Sequence, residues 1–404
     1  MIPYGRQSID ESDISAVVAV LRSDWLTQGP AVPAFEQRVA DYCGAKHAIA
    51  TSNATAALHL ACLALEVGPS DLVWTSPISF VASANCARYC GADVDFVDID
   101  PETANISIAA LEEKLRLGKA SGRLPKVLIP VDFAGNPCDL AQVRQLADEY
   151  GFAVIEDASH ALGAKYCGAR IGGGGYAEIT VLSFHPVKMI TTAEGGMALT
   201  GDPELAQRLR RLRAHGITRE TREMQAAAPG GWYYEQIDLG FNYRMTDIQA
   251  TLGISQMRRL EGFLAARREI ASVYQHRLTE PSAQPLGESA DRISSHHLFV
   301  VRLALAGTRK RVYEAMRSAG IGVNVHYIPI HLQPYYKRLG FGPGDFPAAE
   351  AFYDAALSLP IFPALTSAMQ DAVIQALHTA VASCEHTFDG YPSTSIRQSG
   401  GLRS

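Results

Sequence analysis

The sequence predicts an α/β protein built on a large, mostly parallel β-sheet with helices on both faces. Short apolar runs typical of buried strands alternate with segments of helical periodicity from residue 13 to about residue 250. Each strand–helix unit is roughly 25–35 residues long, as a crossover between parallel strands requires. Polar side chains follow several of the apolar runs, which is where open parallel sheets bind their ligands.

The elements of this large domain follow from apolar periodicity and from capping residues. Ser12 or Asp13 is expected to cap the first helix, which ends at Leu21, because Ser and Asp side chains accept hydrogen bonds from the first free amides. The further elements, in order, are helix 32–43, strand 47–51, helix 55–66, strand 72–75, helix 81–90, strand 94–97, helix 107–116, strand 126–131, helix 139–150, strand 152–155, a strand–loop–strand unit around Lys188, and helix 203–213.

Composition restricts the class of protein. A chain of 404 residues, 47% hydrophobic and 19% charged, is suited to about two or three domains with large cores. The net charge of -6 is spread without a basic face or tail, so we expect no nucleic-acid partner. No apolar run approaches the roughly 18 residues of a membrane span, so we expect no membrane partner. The seven cysteines include no CxxC pair, which indicates reduced thiols, a cytoplasmic location and no metal site.

Beyond the large domain the patterns change. A long helix beginning at Thr246 or Asp247 and ending near residue 280 is predicted to link two domains. The second domain is expected to be a smaller α+β unit with strands near 297–305 and 321–327 and helices over 308–319 and 366–383. The predicted organisation is an N-terminal arm (1–12), a large α/β domain (13–250), a smaller C-terminal α+β domain (251–385) and a disordered tail (386–404).

The loop after the strand that ends at Ser183 carries a single lysine, Lys188, close to the imidazole of His185. Apolar neighbours can partly desolvate this amine, which lowers its pKa, and a neutral amine can form a Schiff base. A surface lysine in a hairpin is the commoner alternative. Residues 52–55 lie between a strand and a helix, where free amides can bind an anion, or where the helix is simply capped.

Two further side chains lie at strand ends. Asp157 could keep a pyridine nitrogen protonated, or it could only cap a helix, and Phe80 could stack on a ring or belong to the core. An amine, an acid, an aromatic side chain and an anion site together are what pyridoxal 5′-phosphate (PLP) requires. The order along the chain, with Asp157 ahead of Lys188, is more specific than any one part.

Six segments together resemble the sugar aminotransferase family called DegT/DnrJ/EryC1/StrS. They are WLTQG (25–29), SNATAAL (52–58), EDASHALG (156–163), SFHPVK (183–188), EGG (194–196) and GFNYRM (240–245). The resemblance extends from residue 2 to about residue 385. It implies a fold-type-I PLP-dependent transferase with a seven-stranded sheet, PLP as cofactor and its aminated form, PMP, during turnover.

The resemblance also assigns roles to single residues. Lys188 matches the Schiff-base lysine and Asp157 the acid at the pyridine nitrogen, so these two are the expected catalytic residues. Related sugar dehydratases carry a histidine at the lysine position, so Lys188 argues for amine transfer. The remaining cofactor contacts are expected from Ala54, Thr55 and Ser183 at the phosphate, Phe80 on the ring, His160 beside the ring hydroxyl, and Asn242 reaching the phosphate of the other subunit of a homodimer.

Further segments, IPYGRQ (2–7) and HYIPIHLQPYY (326–336), narrow the expected substrates. They imply transfer of the amino group of L-glutamate to C4 of a UDP-linked 4-keto-6-deoxy-N-acetylhexosamine, in pseudaminic acid biosynthesis. A D-gluco 4-keto sugar and a 4-keto-arabinose are the alternatives. A non-catalytic PLP-fold sensor is a different class of protein, but the chain has no helix-turn-helix segment and has both Lys188 and Asp157.

The nucleotide and the sugar need their own contacts. Cations are required at a diphosphate, and the basic helix that follows the lysine loop supplies candidates, although a solvated helix face explains Arg208, Arg210 and Arg211 equally well. Histidines beside a proline turn can be structural as well as functional. The residues expected at the substrate are Thr27, His185, Arg213, His215, Arg219, His326, Tyr327 and His331.

Overall fold

The computed structural model describes residues 1–279 and 282–388. The tail predicted over 386–404 overlaps the last helix, which continues to Phe388. Residues 389–404 lie outside the described part of the chain, and the disorder predicted for the tail stays a prediction there.

The described residues form fifteen strands. Seven belong to the central sheet, and the others form three small sheets of two or three strands. In chain order they are β1 (His47–Thr51), β2 (Leu72–Thr75), β3 (Asp93–Phe96), β4 (Val127–Ile129), β5 (Ala153–Asp157), β6 (Lys165–Tyr166), β7 (Ala169–Arg170), β8 (Ile179–Ser183), β9 (Gly196–Thr200), β10 (Ile217–Thr218), β11 (Glu235–Gln236), β12 (Ala283–Pro285), β13 (Arg292–Ile293), β14 (Phe299–Leu303) and β15 (Ala356–Leu359).

Thirteen α-helices lie in the same part of the chain. They are α1 (Glu11–Leu21), α2 (Ala31–Cys43), α3 (Ala54–Ala64), α4 (Ala82–Tyr89), α5 (Ile108–Ser121), α6 (Leu140–Tyr150), α7 (Pro203–Arg213), α8 (Asp247–Met257), α9 (Leu260–Arg277), α10 (Arg309–Ser318), α11 (Pro334–Lys337), α12 (Pro347–Ala355) and α13 (Ser367–Phe388). None of these helices is long and apolar enough to cross a membrane.

The central sheet has the strand order β1–β9–β8–β5–β4–β2–β3. Strand β9 is antiparallel to β1 and β8, and the other neighbouring pairs are parallel. The predicted seven-stranded, mostly parallel sheet is therefore confirmed. Strands β5 and β8 lie side by side with Asp157 paired with Val181, so the loops that follow both strands meet at one edge of the sheet.

Helix α3 presents its first turn to this edge. Asn53 caps it, since the Asn53 side chain accepts a hydrogen bond of 2.8 Å from the amide of Ala56. The helix is apolar nearly all round because it is covered by the sheet and by α4, and Leu60 is fully buried. Burial of such a side chain contributes about 1.5–3 kcal/mol, which anchors the first turn at the site.

The C-terminal part has a core of its own. Strand β14 lies between β12 and β15 in an antiparallel sheet. Val301, Met316, Leu357 and Leu377 are fully buried between this sheet and helices α10 and α13. The domain boundary predicted at residues 250 and 251 falls inside α8, and the division into two domains stays a prediction.

Two predictions about helices are wrong, namely the single long helix after Thr246 and the residue that caps α1. The single helix expected from Thr246 to about residue 280 is interrupted after Met257, and α9 begins at Leu260. At this break the Arg259 guanidinium pairs with the carboxylates of Asp10 and Asp13, a tertiary contact without a local sequence signal. Helix α1 also starts earlier than expected, because the Asp10 side chain accepts hydrogen bonds from the amides of Ser12 and Asp13. Asp10 is its cap, and Asp13 completes a capping box.

The strand predicted over 321–327 is also absent. Ile321 forms one bridge with Ile2, and Asn324 forms one bridge with Ser358. The N-terminal arm lies along this segment, because the amide of Ile2 donates to the carbonyl of Gly320 at 2.9 Å. The segment is therefore held by the arm and by β15, and its side chains after Asn324 are free to face the site.

Candidate active site

A cavity of about 870 Å³ lies at the carboxyl ends of β5 and β8. Its walls come from the first turn of α3, the start of α4, the loop between β8 and β9, and residues 324–327. Ten residues predicted from the sequence line it, namely Ala54, Thr55, Phe80, Asp157, His160, Ser183, His185, Lys188, His326 and Tyr327.

Asp157 ends β5 and is 4% exposed. The Ser83 hydroxyl donates to Oδ2 at 2.6 Å, and the hydroxyl and amide of Ser159 donate to Oδ1 at 2.6 and 3.2 Å. Ser83 is in turn hydrogen-bonded to Ser79 at 2.6 Å. Donors on both oxygens fix the orientation of the Asp157 carboxyl group, which lines the cavity.

Lys188 lies in the loop between β8 and β9, where its amide donates to the carbonyl of His185 at 2.9 Å. The adjacent Met189 and Ile190 are buried and anchor the loop. Burial lowers the pKa of the Lys188 amine to about 7, although the Asp157 carboxylate acts in the opposite direction. A large fraction of the amine is therefore neutral near pH 7, as the desolvated environment predicted from the sequence requires.

Three imidazoles surround this amine. Nε2 of His297 lies 3.4 Å from Nζ of Lys188, and the ring of His160 lies 4.4 Å from that of His297. Nε2 of His160 is 3.2 Å from the hydroxyl of Tyr327. Burial, with the positive charge of Lys188, lowers the pKa of His160 and of His297 well below the usual range and lowers that of His326 to about 3. All three rings are therefore neutral near pH 7.

The first turn of α3 forms another wall of the cavity, where its backbone amides can bind an anion. Gly196 passes so close that a Cβ there would lie 2.5 Å from the amide nitrogen of Ala54. The missing side chain lets β9 support this turn. A helix N-terminus with a nearby hydroxyl, that of Ser183, is a suitable phosphate site. The free Nδ1 of His160, the fixed Asp157 carboxylate and this turn together fit a phosphorylated pyridine such as PLP.

Phe80 lines the cavity but is 59% exposed, and its ring lies 6.4 Å from that of Tyr327. His185 is exposed as well. Partial burial of its ring lowers the pKa of the imidazole, and the negative charge of Glu194 offsets this only in part. Stacking by Phe80 and substrate contact by His185 stay predictions.

Two residues predicted at the substrate have partners of their own and do not line the cavity of this chain. His331 is fully buried, with Nε2 3.0 Å from Glu350 and its ring against Phe346, so it supports the fold and does not line the sugar space. Arg213 pairs with Glu36 and donates to the carbonyl of Ala50 at 2.7 Å. Both partners engage Nη1, and Arg213 does not line the cavity within this chain, so its contact with a diphosphate stays a prediction.

Four other predicted residues do not line the cavity within this chain. Thr27 bridges to Thr246, and Asn242 bridges to Ala214. The amide of His215 donates to the carbonyl of Phe241, and Arg219 lies over the ring of Tyr234 at 6.0 Å. The role of Asn242 was expected in the other subunit, so its position here does not contradict that expectation.

The cavity also contains side chains that sequence reasoning missed. Nδ1 of His59 lies 3.3 Å from the hydroxyl of Tyr243 near the phosphate wall. The missed residues include Tyr4, His59, Ser83, Tyr243, His297 and Asn324. Of these six, Tyr4 and Tyr243 stand inside quoted motifs, and no local pattern marks the other four. Among the described residues no group of three or more His, Cys, Asp and Glu side chains could hold a metal ion.

The lysine, the buried acid and the anion-binding turn define the site of a PLP-dependent transaminase. The chain belongs to the DegT/DnrJ/EryC1/StrS aminotransferase family, whose profile matches residues 7–378. The resemblance found in the sequence is thereby confirmed.

Relatives and solved structures resemble the chain over nearly its whole length. UDP-4-amino-4,6-dideoxy-N-acetyl-beta-L-altrosamine transaminase of Campylobacter jejuni is 38% identical over 363 residues, which are 89% of this chain and 92% of that protein.

 The spore coat polysaccharide biosynthesis protein SpsC of Bacillus subtilis is 37% identical over 390 residues, which are 95% of this chain and 98% of that protein.

Solved structures share the fold. Helicobacter pylori PseC, an aminotransferase involved in the biosynthesis of pseudoaminic acid, superposes with a TM-score of 0.86 at 31% identity and covers 95% of this chain and 99% of its own. Spr1654 from Streptococcus pneumoniae, assigned as a sugar aminotransferase, was solved in PMP and PLP forms with TM-scores of 0.87 and 0.86 at 31% identity, each covering 95% of this chain. PLP as the cofactor, with PMP as its aminated form, is thus confirmed.

Proposed function

We propose that the protein transfers the amino group of L-glutamate to C4 of UDP-2-acetamido-2,6-dideoxy-β-L-arabino-hex-4-ulose, a UDP-linked 4-keto-6-deoxy-N-acetylhexosamine. The products are UDP-4-amino-4,6-dideoxy-N-acetyl-β-L-altrosamine and 2-oxoglutarate, in pseudaminic acid biosynthesis in the cytoplasm. The observation that carries amine transfer is that Lys188 and Asp157 face one cavity of about 870 Å³. The choice of sugar is supported by the names of the Campylobacter jejuni and Helicobacter pylori proteins.

The reaction needs a base that works at carbon. When bound, PLP supplies an electron-withdrawing ring that stabilises negative charge on the carbon being deprotonated. The neutral Lys188 amine takes a proton from Cα of glutamate, and its ammonium form gives a proton to C4 of the sugar. A pKa of about 7 suits both directions, because the two protonation states are then similarly populated near neutral pH.

Other residues hold the cofactor in place. Asp157, oriented by Ser83 and Ser159, would bind the protonated ring nitrogen. His160 would lie beside the ring, where its Nδ1 has no partner in the described part of the chain. Ala54 and Thr55 at the first turn of α3 would bind the phosphate. Together these contacts would hold the ring in one orientation relative to Lys188, the group that moves the proton.

The sugar would occupy the wall formed by residues 324–327. His326 is held by a 2.8 Å hydrogen bond between Nδ1 and the Ser358 hydroxyl, and Asn324 lies 3.3 Å from its Nε2. Neutral polar groups of this kind can distinguish the hydroxyls of isomeric sugars, because an unmatched hydroxyl leaves a buried group unpaired. Tyr4 of the N-terminal arm lines the same wall.

The site would be completed by a second copy of the chain. Asn242 is exposed and lies off the cavity of its own chain, and its family counterpart reaches the phosphate of the neighbouring subunit. The exposed ring of Phe80 at the cavity mouth is compatible with cover by that subunit. We therefore propose a homodimer with shared active sites.

A panel of UDP-4-keto sugars tests the proposal. The purified enzyme is incubated with L-glutamate and with the L-arabino keto sugar, its D-gluco isomer or UDP-4-keto-arabinose, and NMR determines the configuration at C4 and C5 of each product. The L-arabino substrate should be turned over with the highest kcat/KM and give the altrosamine product. Preference for either other sugar would replace the substrate assignment, and 2-oxoglutarate release without any aminated sugar would overturn the choice of substrate class. Hydroxyl removal without amine transfer would instead identify a sugar dehydratase, and ligand binding without turnover a non-catalytic sensor.

A further inference from the structure

The contact between Lys188 and His297 is not explained by cofactor binding alone. Nε2 of His297 lies 3.4 Å from Nζ of Lys188, and the ring is 4% exposed. The other ring nitrogen, Nδ1, is buried and has no hydrogen-bond partner among residues 1–279 and 282–388. Among the described residues, the ring of His297 therefore has one hydrogen-bonding contact, and that contact is the reacting amine.

The free Nδ1 decides where the single proton of the neutral ring lies. A buried N–H without an acceptor is costlier and rarer than a buried lone pair without a donor. The favoured tautomer therefore carries its proton on Nε2, which faces Lys188. A donor at this position can bond only to an unprotonated amine, since an ammonium group has no lone pair to accept it.

The surrounding charges favour the same arrangement. Arg267 is 1% exposed, and its Nη1 donates to the carbonyls of His296, His297 and Ile361 at 3.2, 3.3 and 3.0 Å. This fixes the backbone of His297 and places a positive charge beside its ring. Burial and the charges of Lys188, His160, Arg267 and His326 all lower the pKa of His297, so the ring stays neutral.

Asp157 acts against this arrangement, because its negative charge favours the ammonium form of Lys188. An ammonium group can neither attack a carbonyl nor accept a proton. We propose that His297 is a positioning residue whose Nε2–H donates to the free amine of Lys188 and holds it uncharged whenever it is not bonded to the cofactor. This inference rests on the proposed function, since it requires Lys188 to be the reacting amine.

Two substitutions separate hydrogen bonding from burial. His297→Phe keeps a flat ring against His160 but removes the donor, and His297→Gln keeps an N–H near the position of Nε2. The measurement is the pKa of Lys188 in the full-length, cofactor-free protein, from NMR of lysines methylated with ¹³C-formaldehyde, assigned with Lys188→Ala. The Phe variant should raise the Lys188 pKa by about one unit, a tenfold loss of neutral amine, and the Gln variant should restore it.

A purely structural role for His297 gives the opposite result. Phe is more apolar than His, so burial alone would leave the Lys188 pKa unchanged or lower it, and either result overturns the proposal. His296→Asn is the neighbouring control, because Nδ1 of His296 faces Glu288 at 3.4 Å and not the lysine. It should leave the Lys188 pKa unchanged.

A second measurement needs no folded variant. ¹⁵N shifts of histidine-labelled wild-type protein report the tautomer directly, and the His297 signal should show the proton on Nε2. A proton on Nδ1 would overturn the proposal. Failure of the proposed function is seen separately, as absence of 2-oxoglutarate when the wild-type holoenzyme is mixed with glutamate.

Discussion

Nζ of Lys188 lies 3.4 Å from Nε2 of His297, a residue 109 positions further along the chain. The loop between β8 and β9 provides the amine, and the segment before β14 provides the imidazole. The amine of Lys188 thus contacts a side chain from the C-terminal part of the chain. The geometry at Lys188 therefore depends on how these two parts of the chain pack together.

Replacement of Lys188 by alanine should abolish transamination. The substitution removes the amine proposed to move the proton at carbon, and general acid–base catalysis contributes about 10²–10⁴-fold. The holoenzyme is mixed with L-glutamate, and 2-oxoglutarate is measured in a single turnover. Lys310→Ala, an exposed position with a side chain 85% accessible, should react like the wild type. Turnover retained by Lys188→Ala would refute the assignment.

The reaction of the cofactor-free protein with an aldehyde should depend on pH near neutrality. Only the neutral amine attacks, and the pKa of Lys188 is lowered to about 7. The rate should therefore fall about tenfold for each pH unit below 7 and level off above it. Pyridoxal is the probe because it has no phosphate to titrate, and stopped-flow absorbance gives the rate. A rate that keeps rising toward pH 10 would indicate an ordinary lysine.

Loss of the Ser83 hydroxyl should weaken catalysis through Asp157. Ser83→Ala removes the donor to Oδ2, and a hydrogen bond to a charged group contributes about 1.5–3 kcal/mol, so we expect at least a tenfold lower rate of the glutamate half-reaction. Ser79→Ala, which removes the hydroxyl hydrogen-bonded to Ser83, should have a smaller effect. Equal effects of the two substitutions would mean that the chain of hydroxyls does not act through Asp157.

Gly196→Ala should weaken cofactor binding. The added methyl group would lie 2.5 Å from the backbone of Asn53 and Ala54 and displace the first turn of α3. Overpacking of this kind costs about 1–3 kcal/mol, or roughly tenfold or more in the Kd for PLP, measured by absorbance titration. Gly201→Ala meets nothing within 4 Å and is the matched control. Unchanged affinity in Gly196→Ala would place the phosphate elsewhere.

Mixed subunits test the shared active site. If Asn242 serves the neighbouring subunit, Asn242→Ala and Lys188→Ala dimers should each be impaired. Exchange of subunits between them should restore activity, because one site of each mixed dimer then contains both wild-type residues. Activity is measured before and after mixing, with sedimentation to establish the dimer. No recovery despite subunit exchange would show that each site is built within one chain.

The cofactor half of the site could be predicted from the sequence because its residues stand in short, continuous motifs. Lys188, Asp157, Thr55 and Ser183 each follow or precede a strand of the central sheet, and parallel topology brings such positions to one edge. The structure places all four around one cavity. The substrate half could not be predicted equally well, since Arg213 and His331 are held by Glu36 and Glu350, partners that lie far away along the chain.

The sequence by itself determined the α/β class, the strand order along the chain and the lysine–acid pair, because period, capping and motif are local properties. Only the tertiary structure decided what surrounds that pair. The break before α9, the arm beside residues 320–322 and the position of His297 against Lys188 all depend on contacts between distant segments. Such contacts are selected by packing and by burial of charge over the whole fold, and no short stretch of sequence contains them.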